Sequence, residues 1–278
     1  MTTHLTIPDF AVMKRERQKI VSVTAYDYTF AALLDQAGVD LLLVGDSLGM
    51  VIQGQENTLS VTLEEMIYHT RAVVRGAKRA LVVCDLPFGS FQCGPEAAMR
   101  SAVRAMKESG CQAVKLEGGL HLVETIDFLV RRGIPVVGHV GLTPQSVHQF
   151  GGFKVRGRGA EGEGIFQDAR AVTEAGASMI ILEGIPSDLA QRITLAVGIP
   201  TIGIGAGAGC DGQVLVLYDL LGLYDTIRPK FVKHYLEGGT LVGQAVGQFI
   251  REVRAGNFPG AEHEFANTVR KARKEHLE

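Results

Sequence analysis

The sequence predicts an α/β protein, a single-domain (β/α)8 TIM barrel with helical extensions at both ends, and three observations carry that expectation. Eight short apolar runs recur along the chain, and helix-period stretches closed by glycine separate most of them. Acidic residues recur where a run gives way to turn chemistry, which is where a barrel presents its catalytic groups. At 278 residues and 46% hydrophobic content the chain can bury one large core, and barrels commonly occupy about 250 residues. No linker, low-complexity tract or internal boundary interrupts it. The barrel core is expected at about 20–225 and a helical tail at 226–278.

Residues 1–19 end in the charged stretch KRERQK and are expected to cap the barrel bottom or to pack on a neighbouring subunit. The runs follow as VSVTAYD (21–27), DLLLVGDS (40–47), ALVVCDLP (80–87), AVKLEG (113–118), PVVGHVGL (135–142), MIILEG (179–184), PTIGIGAG (200–207) and VLVLYDLLG (214–222). Most are continuously apolar, as expected for parallel strands covered on both faces. Thr62 with Glu65 three residues on predicts a capping box opening a helix through Gly76, and Thr143 before Pro144 predicts an N-cap with proline at N1. Gly110, Gly133, Gly176 and Gly198 stand where helices should close before the next strand. The last unit is irregular. The stretch 207–214 leaves no room for a crossover helix, so either strand seven or eight lies elsewhere or their connection is unusually short. The glycine- and charge-rich stretch 149–164 reads as a mobile loop over the site or equally as a solvated surface loop. An amphipathic helix is expected at 239–254, then a loop at 257–260 and a charged end.

Composition narrows the function. A formal net charge of −2 supplies no global basic field for nucleic acid or anionic lipid. No apolar run approaches the roughly 18 residues of a membrane span, and residues 1–10 lack the pattern of a signal peptide, so a soluble cytoplasmic protein is expected. Cys84, Cys93, Cys111 and Cys210 form no C-x-x-C pair and are expected to be free thiols. Cys84 neighbours Asp85, but adjacent residues of a strand point to opposite faces. If Asp85 faces the site, Cys84 faces the helix layer. The glycines of 203–212 break the strict G-x-G-x-x-G spacing, which argues for a tight turn at the barrel mouth rather than a dinucleotide site.

Asp46, Asp85 and Glu117 end separate runs and offer only oxygen, the donor set of magnesium or another hard cation. Singly, such carboxylates also cap helices or pair with lysine. Lys115 and Glu117, two apart on one strand, project to the same face. They form either a plain ion pair or a mouth-facing cation beside the metal, which would neutralise a small oxo acid and contribute little to the core. His139 is a core histidine or a donor to substrate. Glu183 ends the sixth run and is the carboxylate left over for a base.

The motifs VTAYD, LLLVGDSLGMV, HTRAV, DLPFGS, AVKLEGG, GHVGLTPQS, ILEGIP and IGIGAG, in this order and spacing, resemble the ketopantoate hydroxymethyltransferase (3-methyl-2-oxobutanoate hydroxymethyltransferase) family over about residues 21–229. The resemblance implies a magnesium-dependent barrel enzyme of pantothenate biosynthesis. It would condense 3-methyl-2-oxobutanoate with the one-carbon unit of 5,10-methylenetetrahydrofolate, through a magnesium-stabilised enolate, to give 2-dehydropantoate. By motif position it implies metal ligands at Asp46, Asp85 and Glu117, and a proton acceptor at Glu183. Substrate contacts are implied at Ser47, Lys115 and His139, with Asp46 and Asp85 shared between metal and substrate. It also implies a large homo-oligomer, a decamer. The alternative is a magnesium-dependent lyase or mutase of the phosphoenolpyruvate mutase/isocitrate lyase type, which would more naturally carry a reactive cysteine in its lid; 149–164 has none. A non-enzymatic scaffold would leave the polar strand ends unexplained.

Overall fold

A computed structural model of the chain describes residues 4–224 and 229–265. Among these, strands β1 (Ile20–Thr24), β2 (Leu41–Val44), β3 (Leu81–Asp85), β4 (Ala113–Glu117), β5 (Val136–Gly141), β6 (Met179–Glu183), β7 (Thr201–Ile204) and β8 (Gly212–Leu215) close into a parallel barrel in sequence order. The main intervening helices are α2 (Tyr28–Gln36), α3 (Leu63–Gly76), α4 (Pro95–Ser109), α5 (Val123–Val130), α6 (Glu161–Glu174) and α7 (Ser187–Ala196); α1 (Ile7–Arg15) precedes the barrel and α8 (Gly238–Ala255) follows it. The end of the expected tail, from 266, and the junction 225–228 lie outside the described residues.

Side-chain alternation sorts the barrel into two cores. Leu41, Leu43, Leu81, Val83, Val137 and Ile181 point inward, while Leu42, Val82, Cys84, Val114, Leu116 and Leu182 pack against the helices. The inner core is closed from below by Phe10 and Met13 of α1, so the N-terminal segment caps the barrel bottom. The Thr62 capping box forms, with the hydroxyl accepting from the Glu65 N–H at 3.2 Å and the Glu65 carboxylate accepting from the Thr62 N–H at 2.8 Å. Gly110 closes α4 in the left-handed region. Thr143 precedes only a short 3-10 turn and its hydroxyl makes no capping bond. Gly198 does not adopt a positive φ, since α7 ends in an extended Val197.

The irregular last unit resolves as a short connection. Strand β8 is Gly212–Leu215 rather than 214–222; Leu217–Leu220 is a short helix instead. Seven residues, 205–211, join the parallel β7 and β8 without a crossover helix. Strands this short rise only about 10 Å, and seven extended residues reach about 25 Å, so the chain returns unaided. Asp211 pins that return at the barrel bottom. Its carboxylate accepts from the Thr201 N–H at 2.9 Å and from Lys14 Nζ of α1 at 2.7 Å. Gly212 is required because a Cβ there would stand 2.5 Å from the Ile20 carbonyl oxygen.

Candidate active site

The barrel delivers its polar residues to one end by register. Asp85 pairs with Lys115 across β3–β4, Glu117 with His139 across β4–β5, and Gly141 with Glu183 across β5–β6. Asp46 and Ser47 follow β2 after Gly45. Asp46, Ser47, Asp85, Lys115, Glu117, His139 and Glu183 line one cavity of about 390 Å3 at the C-terminal end of the strands, within the range of clefts that take drug-sized ligands. Cys84, as the alternation requires, lies in the helix-facing core.

Asp46, Asp85 and Glu117 each turn an oxygen to a common point, the three atoms lying within 4.8 Å of one another, and all three residues are buried. Lys115 donates to Asp85 Oδ1 at 2.6 Å and to Glu117 Oε1 at 3.1 Å. The His139 ring lies between two carboxylates, with Nδ1 3.3 Å from Glu117 Oε1 and Nε2 3.2 Å from Glu183 Oε2. These are ion-pairing distances, but their angles miss good hydrogen-bond alignment. Tyr26 Oη and Ser47 Oγ share a hydrogen bond of 2.9 Å.

The charges do not balance around Asp46. Burial, then repulsion from Asp85 and Glu117, pushes its carboxyl well above the usual range. Burial also raises Asp85 despite the Lys115 ammonium beside it. Glu117 goes the other way: burial opposes its ionisation, but Lys115 and His139 outweigh that and hold it down at about 2. A buried carboxylate cluster that Lys115 neutralises only in part, offers only oxygen and converges on one point fits a hard divalent cation.

Burial and the Lys115 ammonium both work against a charged His139, yet Glu117 and Glu183 lift it to about 9 from an ordinary 6.5. A group whose pKa rises on folding stabilises the fold fully below its unfolded value and loses that contribution as pH climbs to the folded one. Stability of the metal-free protein is therefore expected to fall between pH 6.5 and 9 by up to about 3 kcal/mol through this group. Denaturant titrations in EDTA across that range would read it, and His139→Gln should flatten that part of the profile. An unchanged slope in the variant would rule the assignment out.

Lys115 departs from expectation. It is 3% exposed and clamped by two carboxylates, so it is both a plain ion pair and a site cation, and it does support the interior. Lys115→Ala is expected to weaken oxo-acid binding and also to destabilise the metal-free protein by about 3–5 kcal/mol, because it leaves buried carboxylates uncompensated. Thermal melts with and without magnesium test this; a melting temperature unchanged in EDTA would refute it.

Gln145 was not singled out from the sequence, although it sits inside GHVGLTPQS. Its Nε2 donates to Asp46 Oδ2 at 2.9 Å and to the Leu86 carbonyl at 3.0 Å, and its backbone N–H donates to Glu117 Oε2 at 3.0 Å. It thereby orients two of the three clustered carboxylates. Tyr26 was likewise missed, as was Asp219, which also lines the cavity. The 149–164 stretch is helical at both ends, with the short helix Val147–Phe150 running into it and α6 beginning at Glu161. Its exposed segment Phe153, Lys154 and Val155 lines the cavity.

The family model of ketopantoate hydroxymethyltransferase matches residues 4–261. The chain belongs to the ketopantoate hydroxymethyltransferase family. Among curated relatives, the 3-methyl-2-oxobutanoate hydroxymethyltransferase of Magnetococcus marinus is 59% identical over 95% of this chain and 99% of its own length. That of Pelobacter propionicus is 54% identical over 95% and 98%. As a ketopantoate hydroxymethyltransferase family member the chain is an enzyme, a transferase. Solved structures resemble it in fold alone. A phosphonopyruvate hydrolase crystallised with oxalate and Mg++ superposes with a TM-score of 0.61 at 11% identity, over 93% of both chains. A 2,3-dimethylmalate lyase of the PEP mutase/isocitrate lyase superfamily gives 0.57 at 17%, over 95% of this chain and 93% of that one. The lyase and mutase alternative thus shares the barrel, whereas sequence kinship sets this chain among the hydroxymethyltransferases. No helix among the described residues is long and apolar enough to cross a membrane.

Proposed function

We propose that this enzyme condenses 3-methyl-2-oxobutanoate with the one-carbon unit of 5,10-methylenetetrahydrofolate to give 2-dehydropantoate, the step the family serves in pantothenate biosynthesis. The observation that carries the reading is the pairing of a convergent oxygen-only triad with a separate carboxylate, Glu183, held across the same cavity by His139. Asp46, Asp85 and Glu117 would hold magnesium, which when bound supplies a Lewis acid for the keto oxygen of the substrate.

The remaining chemistry falls to the side chains. The Lys115 ammonium meets the substrate carboxylate, the Ser47 hydroxyl, oriented by Tyr26, offers a further donor, and the His139 ring offers an N–H at the polar wall. Glu183 takes the proton from C3 of the oxo acid, and the resulting carbanionic carbon bonds to the one-carbon unit. Both carbon–nitrogen bonds that hold the unit to N5 and N10 of the folate break with their electron pairs going to nitrogen. The two nitrogens take up the proton held by Glu183 and one from water, and that water's oxygen becomes the hydroxyl. Phe153 and Val155 restrict wider water access. Turnover of the two substrates by the purified enzyme, lost in EDTA and restored by magnesium, tests the reading; no turnover with magnesium present would end it.

The free thiols Cys84, Cys93, Cys111 and Cys210 suit a reducing cytoplasm. A homo-oligomer, a decamer in the family's manner, is supported by α8, whose Leu241, Val242, Val246 and Phe249 are each about half exposed along an apolar face. Light scattering is expected to give a mass many times the 29.9 kDa of one chain; a monomer in dilute buffer would count against it.

A further inference from the structure

The groups proposed for the oxo acid occupy one side of the cavity, from β2 round to β6. The opposite sector, from β7, β8 and β1, is mainly apolar, with Ile204, Val214, Val216 and Phe231 on its wall. Gly205, at φ +60, lets the Phe231 ring close over this sector, since a Cβ there would lie 2.7 Å from it. One carboxylate interrupts the apolar wall. Asp219, on the short helix Leu217–Leu220 after β8, is half-buried and lines the cavity. Among the described residues its oxygens accept no hydrogen bond and pair with no cation; His234 acts on it only from beyond pairing distance.

We propose that Asp219 reads the donor edge of the pterin ring of the one-carbon carrier, which lies in the β7–β8–β1 sector with its glutamyl end toward Lys154 and Lys230 at the mouth. The inference rests on the folate reading above and names the subsite that reading leaves open. A pterin presents its N3–H and 2-amino N–H side by side, the same parallel donor pair that a guanidinium offers, and two carboxylate oxygens accept both. Its faces are flat and suit the Phe231 and valine walls. Lys154 and Lys230 are exposed and line the same cavity, where they would meet the carrier's carboxylates. Burial lifts the Asp219 carboxyl to about 6 from its ordinary 3.8, as befits an acceptor whose donors arrive with a ligand. The placement also suits the chemistry, because the one-carbon unit then approaches from the side opposite the metal triad.

The experiment is Asp219→Asn, which keeps size and removes the second acceptor, measured in the full-length enzyme with magnesium. The KM for 5,10-methylenetetrahydrofolate and the dissociation constant of tetrahydrofolate are expected to rise about ten- to a hundredfold, the usual range for hydrogen bonds to a charged acceptor. The KM for 3-methyl-2-oxobutanoate and its folate-free C3 hydrogen exchange report an intact oxo-acid site. A rise below about tenfold in the folate constants, or an equal loss on the oxo-acid side, overturns the proposal. Wild-type enzyme that exchanges the C3 hydrogen but ignores the folate would instead overturn the underlying functional reading.

Discussion

Asp85→Ala is expected to abolish turnover, by a thousandfold or more, and to uncouple the protein's thermal stability from magnesium. Asp85 is one of the three convergent carboxylates, it accepts the Asp46 N–H at 3.3 Å, and it holds Lys115 at 2.6 Å. Its loss would remove one proposed oxygen ligand and loosen a second, and several kcal/mol of transition-state stabilisation corresponds to about three powers of ten. Lys115 keeps Glu117 as a partner at 3.1 Å, so the barrel is expected to stay folded. Magnesium at a hundred times its dissociation constant should stabilise the native enzyme by about 2.7 kcal/mol and the variant by almost nothing. A native enzyme indifferent to EDTA, or a variant still stabilised by magnesium, would remove the triad from consideration as a metal site.

Glu183→Gln carries the second large effect. The carboxylate ends β6, lines the cavity and lies 3.2 Å from His139, whereas Asp46, Asp85 and Glu117 are committed to one another and to Lys115. Glutamine preserves shape and hydrogen bonding but accepts no proton. Exchange of the C3 hydrogen of 3-methyl-2-oxobutanoate with deuterated water, without folate, is expected to fall by about 10²–10⁴. Magnesium and oxo-acid binding should persist. Exchange at the native rate would place the base elsewhere.

Much of the barrel is legible in the sequence because strand periodicity, capping boxes and glycine C-caps are local. A two-residue period puts Lys115 and Glu117 on one face and turns Cys84 away from Asp85 without any tertiary knowledge. The Asp85–Lys115 contact is different in kind, since it depends on the register between β3 and β4, which no single segment encodes. Burial of Lys115 follows from that register, and so escaped a reading of the single strand, which left a plain ion pair and a mouth-facing cation as alternatives. Gln145 was hidden for a related reason. An amide after a proline looks like loop filler until the turn Pro144–Ser146 folds it back onto Asp46 and Glu117. Strand β8 was misjudged because VLVLYDLLG is apolar but for Tyr218 and Asp219 and carries no turn residue before Gly222, and only the closing contact with β1 decides where extended chain stops and helix starts.

The plug formed by Phe10 and Met13 divides the barrel's labour along its axis. Crowded carboxylates, a buried ammonium and a clamped imidazolium sit at one end, while the other holds apolar side chains with Asp211 tying β7 to α1 through Thr201 and Lys14. Functional sites carry strain that stabilising substitutions tend to relieve at the expense of rate. In this enzyme, heat resistance can be engineered from the plugged end, by repacking around α1 or tightening the 205–211 return, far from the groups that turn over substrate. Variation among natural relatives living at different temperatures should concentrate there for the same reason.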